Sequence, residues 1–350
     1  MKNENSQLTS HSIARLFGFT QKEKEVYVRT IRNQNGMELT VSDLGATITS
    51  LKIPVSDYSN VDVVLGFDNA EDYEASFSLP SPPFLGAAVG LYAGRINKGI
   101  VKFNGRVIQL ETNLGMHHIH GGNRNLSNQV WRFKSATLDE NPSLTYTFTT
   151  PENHGNYPGS TTVTVTYQLL ENNALKVTFH ATATEDTPIN LTQHSYFNLN
   201  GHDQAVEGMQ LKLYADTFLD TDYELIPSGK FIPVKGSIHD YSSIAECPKS
   251  IDTTFVLNQP LAATLFSPKN QLRMDVFTNQ PAVHIYVGGN CFNQIKGKEQ
   301  SNYHPLSGIC FETQNFPDAP NHKHFPNALL KKGEAYLQET LFQFKKTTAL

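Results

Sequence analysis

The sequence predicts a large all-β fold of antiparallel strands, a sandwich or a barrel, with few short helices. Runs in which apolar and polar residues alternate, as they do in strands with one buried and one solvated face, recur along the chain. Turn-forming residues separate these runs about every ten residues, which is typical of sandwiches and barrels. The sequence contains neither the glycine pattern of dinucleotide-binding loops nor that of phosphate-binding loops, and strands do not alternate with helices. An α/β nucleotide-binding fold is therefore not expected.

The predicted elements follow this pattern in chain order. The sequence over residues 68–73 predicts a short helix, because the aspartate at its start is a good N-terminal cap. Alternation predicts a strand over residues 144–148. Residues 163–169 and 175–181 predict a hairpin, because only a short turn separates the two runs. A further strand is predicted over residues 336–344.

Length and composition limit the organisation of the chain. At about 150 residues per domain, a chain of 350 residues would form about two domains. No linker rich in Pro, Gly or Ser interrupts the strand pattern, however. We therefore expect one domain over residues 21–350, preceded by a loosely packed N-terminal arm over residues 1–20. Apolar residues make up 39% of the chain, which suffices for a core and excludes a disordered protein.

Charge and cysteine content exclude several functional classes. The chain has 28 Lys and Arg against 33 Asp and Glu, a net charge of −5, whereas nucleic-acid and anionic-membrane surfaces need clustered positive charge. It has no apolar run long enough to span a membrane and no secretory signal at its N-terminus, so we expect a cytoplasmic protein. Its three cysteines form no CxxC pair, which predicts reduced, packed thiols.

Two segments depart from ordinary strand sequence. Residues 86–99 are small and rich in glycine, and they contain Arg95. This composition fits a tightly packed strand or a space for a ligand beside the guanidinium group. Residues 117–122 contain three histidines, and on a strand His118 and His120 would face the same side. No Glu or Cys stands at zinc-site spacing, so a structural role or a substrate contact is expected rather than a metal.

Two more segments combine polar residues with an apolar frame. Residues 190–201 are dense in hydrogen-bonding side chains, which indicates a wet cleft or, alternatively, a purely structural network. In residues 308–319, Glu312 stands alone among apolar neighbours and shares a strand face with Cys310 and Gln314. A carboxylate in that setting must be paired, exposed or raised in pKa. A raised pKa is what a general base working near neutral pH needs.

On three motifs the chain resembles the aldose 1-epimerase (galactose mutarotase) family. Residues 190–201 resemble the family sequence Asn-Leu-Thr-[Asn/Gln]-His-Ser-Tyr-Phe-Asn-Leu-x-Gly. The other two motifs are residues 120–122 with Trp131 downstream, and residues 312–319 followed by Asn321. The resemblance covers almost the whole chain. It implies a galactose mutarotase-type β-sandwich with an open sugar cleft, and interconversion, without a cofactor, of the α and β anomers of aldoses such as galactose and glucose.

The resemblance also implies a role for individual residues. Glu312 resembles the family's general base and His194 its general acid. The residues that resemble or adjoin its sugar-binding positions are His120, Arg95, Asp252, Tyr196 and His284. No metal and no cofactor are implied, the partner is a small aldose, and the protein is expected to be a monomer or a homodimer.

Several positions differ from the family pattern. Leu91 replaces an arginine and Gly94 replaces an asparagine. Thr253 and Thr254 stand where the family usually has His-Asn, and His284 stands where many members have a sugar-binding glutamine. These differences leave the acid and base intact. They leave open which sugar is preferred and how tightly it is held.

The chemistry of anomerisation fits an acid and a base. One proton leaves the C1 hydroxyl and another reaches the ring oxygen, and Glu and His, with ordinary pKa values near 4.3 and 6.5, suit these transfers near neutral pH. Three alternatives stay open. They are a non-catalytic sugar-binding or regulatory module, a sugar-phosphate 1-epimerase, which needs a cationic pocket, and a glycosidase that uses Asp252 and Glu312 as paired carboxylates.

Overall fold

Three large antiparallel sheets form the body of the molecule, and short two-stranded sheets connect them. The computed structural model describes residues 14–103, 105–290 and 294–349. Within these residues, no helix is long and apolar enough to cross a membrane. The free thiols of Cys247 and Cys310 are buried, as the sequence predicts. Cys291 lies outside the described residues.

The strands are short and numerous. The first are β1 (Ala14–Phe19), β2 (Glu25–Arg32), β3 (Glu38–Ser42), β4 (Thr47–Ser56), β5 (Ser59–Asp62), β6 (Ala88–Val89), β7 (Arg95–Ile96), β8 (Ile100–Phe103) and β9 (Arg106–Gln109). The middle strands are β10 (His118–Ile119), β11 (Arg132–Thr137), β12 (Ser143–Thr149), β13 (Thr161–Leu170), β14 (Ala174–Ala183), β15 (Thr187–Pro188), β16 (Thr192–Gln193), β17 (Tyr196–Phe197), β18 (Gln210–Leu213) and β19 (Ala215–Thr221). The last are β20 (Pro227–Pro233), β21 (Ala245–Glu246), β22 (Ile251–Leu257), β23 (Leu261–Ser267), β24 (Leu272–Thr278), β25 (Ala282–Val287), β26 (Ile309–Gln314), β27 (Leu329–Leu330) and β28 (Tyr336–Lys346).

Helices are few in the described part of the chain. The α-helix α1 covers Ala70–Ser76. Short 3-10 helices cover Asn97–Gly99, Leu126–Asn128, His154–Asn156, Lys298–Gln300 and Ala319–Asn321.

The largest sheet has nine strands in the order β11-β12-β13-β14-β28-β24-β23-β18-β21. A six-stranded sheet has the order β17-β26-β25-β22-β19-β20, and a five-stranded sheet has the order β1-β2-β3-β4-β5. Smaller pairs join β7 to β10, β6 to β16, β8 to β9 and β15 to β27. All of these strand pairings are antiparallel, as period-2 alternation predicts.

The two smaller sheets pack against the nine-stranded sheet. Phe197 at the edge of the six-stranded sheet contacts Phe342 on β28, with ring centroids 4.8 Å apart. On the five-stranded side, the hydroxyls of Tyr146 and Tyr167 donate hydrogen bonds to the carbonyls of Val41 and Ala46. Apolar side chains from all three sheets form one buried core, so the sandwich predicted from the sequence is confirmed.

Several predicted elements are confirmed with small corrections. Strands β12, β13, β14 and β28 cover the predicted runs, and β13 pairs with β14 as the predicted hairpin. The helix prediction starts too early, because Asn69 rather than Asp68 caps α1, with its side chain accepting a hydrogen bond from the Asp72 amide. The residue that caps a helix is the one whose side chain reaches the third amide, and here that residue is Asn69.

The predicted N-terminal arm needs a larger correction. Residues 14–19 form β1, which pairs with β2 in the five-stranded sheet. The ring of Phe17 is buried against Tyr73 of α1, and the Phe19 amide donates to Glu71. The segment is therefore bound along its length to the body of the protein. Residues 1–13 lie outside the described residues.

Candidate active site

One face of the six-stranded sheet forms the floor of a cleft. Side chains alternate along β26, so Cys310, Glu312 and Gln314 share one face while Phe311 and Thr313 face the nine-stranded sheet. All of these side chains are buried, because elements cover both faces of this strand. A sequence pattern that alternates apolar and polar residues therefore does not mark a solvated face here.

Strand register places the floor residues in two rows. His284 on β25 lies opposite Glu312 on β26 and opposite Thr254 on β22. Tyr286 lies in the same way between Asp252 and Cys310. Because neighbouring strands are about 4.8 Å apart, side chains in one row are within hydrogen-bonding reach of each other.

Short strands above the floor supply the other walls. Arg95 lies on β7, and His120 follows directly after β10, to which β7 pairs. His120 has a φ of 51°, in the left-handed region, which turns the chain out of the strand. The next residue, Gly121, lies so close to the Gly90 carbonyl that a Cβ atom would be 1.9 Å from its oxygen. The tight packing of this glycine holds the histidine over the cleft.

The central feature of the cleft is a buried histidine beside a buried carboxylate. His194 Nε2 is 3.4 Å from Glu312 Oε1, and the two residues are 4% and 2% exposed. Glu312 Oε2 is buried and has no hydrogen-bond partner among the described residues. His194 Nδ1 lies 3.7 Å from the Sγ atom of Cys310, whose thiol pKa is raised well above its ordinary value by burial. Among the described residues, Glu312 Oε2 is therefore available to a ligand, which would lie beside the facing atoms His194 Nε2 and Glu312 Oε1.

His120 is held as a neutral imidazole. The Gly94 amide donates a hydrogen bond to His120 Nδ1, at 3.2 Å. Burial lowers the pKa of His120 well below its ordinary value, and the nearby charges of His194 and Arg95 lower it further. In the neutral ring the proton is therefore on Nε2, which makes His120 a hydrogen-bond donor towards the cleft.

A charged group lies at the opposite wall. Asp252 Oδ1 is 2.9 Å from His284 Nε2, and Asp252 Oδ2 is 3.6 Å from a terminal nitrogen of Arg95. Burial alone would raise the pKa of Asp252, but the hydrogen bond and charge of His284, together with Arg95, lower it to about 2. The Arg95 Nε atom is buried without a hydrogen-bond partner among the described residues.

Aromatic rings line the remaining wall of the cleft, which has a volume of about 360 Å³. The ring of Phe84 lies 5.1 Å from that of His120 and 6.0 Å from that of His194. Tyr196 packs on His194 from the other side, with centroids 5.4 Å apart. An apolar ring next to convergent polar groups is typical of small-molecule sites.

The structure brings all seven sequence-predicted site residues into this one cleft. Its lining includes Glu312, His194, His120, Arg95, Asp252, Tyr196 and His284. Leu91, which replaces an arginine of the family pattern, does not line the cleft, because its side chain lies in the core.

His118 was grouped with His120 by strand alternation, and this is wrong. Strand β10 ends at Ile119, and the left-handed conformation of His120 turns its ring away from that of His118. His118 instead bonds to the Tyr157 hydroxyl at 2.7 Å and to the Glu111 carbonyl at 2.6 Å. Burial lowers its pKa to about 4, so it is a neutral structural residue.

The polar segment 190–201 is mostly a hydrogen-bonded scaffold rather than a wet cleft. Asn190 bonds to the backbone of Ala93 and Asn315, and Asn198 bonds to the Ser307 carbonyl. Only the two rings of this segment, His194 and Tyr196, reach the cleft.

Sequence reasoning missed Gln314 and Phe84, which also line the cleft. Gln314 is 1% exposed, and its Oε1 atom has no hydrogen-bond partner among the described residues. Its position two residues after Glu312 was the available signal, since i and i+2 share a strand face. No sequence pattern marks Phe84, which lies in a loop.

One group of cleft residues could hold a metal ion. One atom from each of His120, His194 and Glu312 lies within 4.8 Å of the other two. Two imidazoles and a carboxylate are donors that suit zinc. The same atoms are also those that a proton-transfer site needs.

Comparison with known proteins identifies the family. A family model described as aldose 1-epimerase matches residues 27–343, most of the chain. The chain belongs to the aldose 1-epimerase family. The resemblance seen in its motifs is thereby confirmed.

Individual relatives of this family cover nearly the full chain. The galactose mutarotase of Sus scrofa is 34% identical over 321 residues, which are 88% of this chain and 91% of the relative. The aldose 1-epimerase of Escherichia coli K12 is 30% identical over 334 residues, with 90% and 94% covered. The galactose 1-epimerase structure from Lactobacillus acidophilus superposes with a TM-score of 0.81 at 27% identity, covering 94% and 97% of the two chains. An aldose epimerase homologue from C. elegans gives 0.83 at 28% identity, covering 91% and 98%.

Proposed function

We propose that this protein is an aldose 1-epimerase, an isomerase that interconverts the α and β anomers of hexoses such as galactose and glucose. The single observation that carries the proposal is the buried pair of His194 Nε2 and Glu312 Oε1, 3.4 Å apart at the base of the cleft. The two sugar oxygens that exchange protons, the C1 hydroxyl and the ring oxygen, are bonded to the same carbon. Their acid and base must therefore be neighbours.

The reaction proceeds by ring opening and reclosure. Glu312 takes the proton of the C1 hydroxyl while protonated His194 gives a proton to the ring oxygen, and the bond between C1 and the ring oxygen breaks. The open aldehyde rotates about C1–C2 and presents its other face. His194 then removes the proton from the C5 hydroxyl, Glu312 returns one to the carbonyl oxygen, and the ring closes. Both side chains end as they began, so the cycle needs no other reactant.

The other cleft residues bind and orient the sugar. Three buried cleft atoms, Glu312 Oε2, Gln314 Oε1 and Arg95 Nε, have no hydrogen-bond partner among the described residues, and sugar hydroxyls would satisfy them. Neutral His120 donates from Nε2 to a sugar oxygen near His194. Asp252 accepts from neighbouring hydroxyls, and the Tyr196 ring packs beside the acid.

Polarimetry of freshly dissolved α-galactose or α-glucose tests the catalytic pair. Glu312→Gln and His194→Gln should each lower kcat by about 10²–10⁴-fold, because each removes one positioned proton-transfer group. The spontaneous rate, measured without protein, is subtracted. Unfolding in denaturant checks that both variants fold. A Glu312→Gln variant with the rate of the unchanged protein would refute the base assignment.

Physical features weigh against the alternatives. The intact acid and base distinguish the site from a mere binding module. A sugar-phosphate substrate needs a cationic pocket, yet Arg95 is the one permanent cation among the described cleft residues, and it is paired with Asp252. In a glycosidase one carboxyl group must stay protonated, and the pKa of Asp252, lowered to about 2, excludes Asp252 from that role and leaves only Glu312 for it. A monomeric or homodimeric state and a cytoplasmic location stay predictions.

A further inference from the structure

The imidazole of His284 has a protein partner at each of its two nitrogens. Nε2 bonds to Asp252 Oδ1 at 2.9 Å, and Nδ1 bonds to the Thr254 hydroxyl at 2.8 Å. A ring with both nitrogens engaged has no donor or acceptor left for a sugar hydroxyl.

His284 and Thr254 are both departures from the family pattern, and they lie side by side. The two residues are direct register partners on the antiparallel strands β25 and β22. A threonine hydroxyl can accept from a protonated Nδ1 and donate to a neutral one. The hydrogen bond between His284 and Thr254 can therefore form whether the imidazole is protonated or neutral. It keeps the ring in one orientation in both states, and the two residues together form one unit.

The unit acts on Asp252. That carboxylate lies between His284 on one side and Arg95 on the other, and its side chain is 29% exposed towards the cleft. Burial alone would lower the pKa of His284, but the hydrogen bond and charge of Asp252, with the charge of Glu312, leave it raised, against the opposing charge of Arg95. When His284 is protonated, it gives Asp252 a charged hydrogen bond, which is shorter and stronger than a neutral one.

We propose that His284 is a positioning residue that, together with Thr254, fixes the Asp252 carboxylate for the sugar and touches no substrate atom itself. The proposal rests on the epimerase function proposed above. It reassigns the sequence prediction of His284 as a direct sugar contact.

A double-mutant cycle separates positioning from direct contact. The variants are His284→Leu, Asp252→Ala and their combination, and the quantity is kcat/KM from polarimetry, which is measurable even when binding is weak. His284→Leu alone should lower kcat/KM about ten-fold, the effect of losing one charged hydrogen bond. In the Asp252→Ala background it should change kcat/KM less than two-fold. An unreduced ten-fold loss in that background would overturn the proposal, because the histidine would then contact the sugar independently.

The Thr254→Val variant provides a second test, the dependence of KM on pH. A purely structural role of Thr254 would leave this dependence unchanged. Valine keeps the volume of threonine and removes the acceptor of the protonated Nδ1, so protonation of His284 becomes less favourable. KM should rise with kcat nearly unchanged, and the pH at which KM begins to climb should fall. Both effects should vanish in the His284→Leu background. A pH profile identical to that of the unchanged protein would contradict the proposal.

Two controls make failure interpretable. The groups that face His284 are Asp252, Glu312, Arg95 and His120, so the Thr254→Val shift is read against the unchanged protein, in which all four are the same. The free energy of unfolding of each variant excludes general loss of structure. If the unchanged protein does not accelerate mutarotation, the function proposal fails. If it does and the cycle is additive, only the role of His284 fails.

Discussion

At the scale of single residues, three side chains that line the cleft, Arg95, Glu312 and Gln314, each have a buried polar atom without a hydrogen-bond partner among the described residues. Gln314 and Gln338 are both 1% exposed. The Gln338 amide is paired with Thr313 and Tyr336, whereas Gln314 Oε1 has no hydrogen-bond partner among the described residues. An unpaired buried amide oxygen costs about 1–3 kcal/mol. That cost is offset if a sugar hydroxyl occupies the site, so Gln314 is expected to serve binding rather than stability.

Replacement of each glutamine by methionine tests this difference. Gln314→Met should raise KM about five- to twenty-fold and leave the free energy of unfolding unchanged or higher, because it removes an unpaired polar group from the interior. Gln338→Met, the matched control, should lower the free energy of unfolding by about 1–3 kcal/mol and leave KM unchanged. Polarimetry and denaturant unfolding measure both quantities. Equal destabilisation by the two changes would contradict a binding role for Gln314.

The sequence was informative about the candidate catalytic side chains because the motifs contain them in order. It predicted Glu312 and His194, and these two residues do lie together. It could not predict that both nitrogens of His284 are engaged, since that depends on the register of β22 with β25. Phe84 was missed for a similar reason: it meets His120 from a loop distant in sequence.

At the scale of elements, strand length decided what could be predicted. Strands β13 and β14 have ten residues each, and their alternation is long enough to identify. Strands β6, β7, β10, β16 and β17 have two residues each and carry no period at all, yet they hold the walls of the cleft. Tertiary contacts set the conformation of these short strands. One such contact lies just after β10, where Gly121 packs against the Gly90 carbonyl.

Strand β1 provides a prediction at this scale. Phe17 is 7% exposed and packs on Tyr73, whereas its neighbour Leu16 is 44% exposed. Phe17→Ala should lower the free energy of unfolding by roughly 3 kcal/mol, since it leaves a cavity between β1 and α1. Leu16→Ala, on the opposite face of the strand, should cost less than about 1 kcal/mol. Denaturant unfolding compares the two. Equal, small effects would mean that residues 14–19 are an arm after all.

At the scale of the whole molecule, buried neutral histidines make stability depend on pH. The unfolded chain binds a proton on His118 near pH 6.5, but burial lowers the pKa in the folded protein to about 4. The unfolded state therefore takes up more protons than the folded state between these values. Stability is lost as the pH falls from about 6.5 towards 4.

Substitution of this histidine should flatten the acid side of the stability curve. Between pH 7 and pH 5, His118→Gln should reduce the fall in the free energy of unfolding by roughly 2 kcal/mol, the linkage contribution of one such group. His180→Gln, an exposed control on β14, should not change the fall. Because each variant is compared with the unchanged protein, contributions from groups such as Asp43 cancel. An unchanged slope in His118→Gln would show that other groups dominate acid unfolding.

The glycine at position 94 fixes part of the geometry of this cleft. With a φ of 77°, it has room for no Cβ atom without pressing on the Pro317 ring at 3.1 Å and the Gln314 amide at 3.3 Å. A side chain introduced at this position would therefore shift the Pro317 ring and the Gln314 amide by a few tenths of an ångström. The residue at position 94 thus limits the geometry of a cleft side chain that is 220 positions away in the sequence.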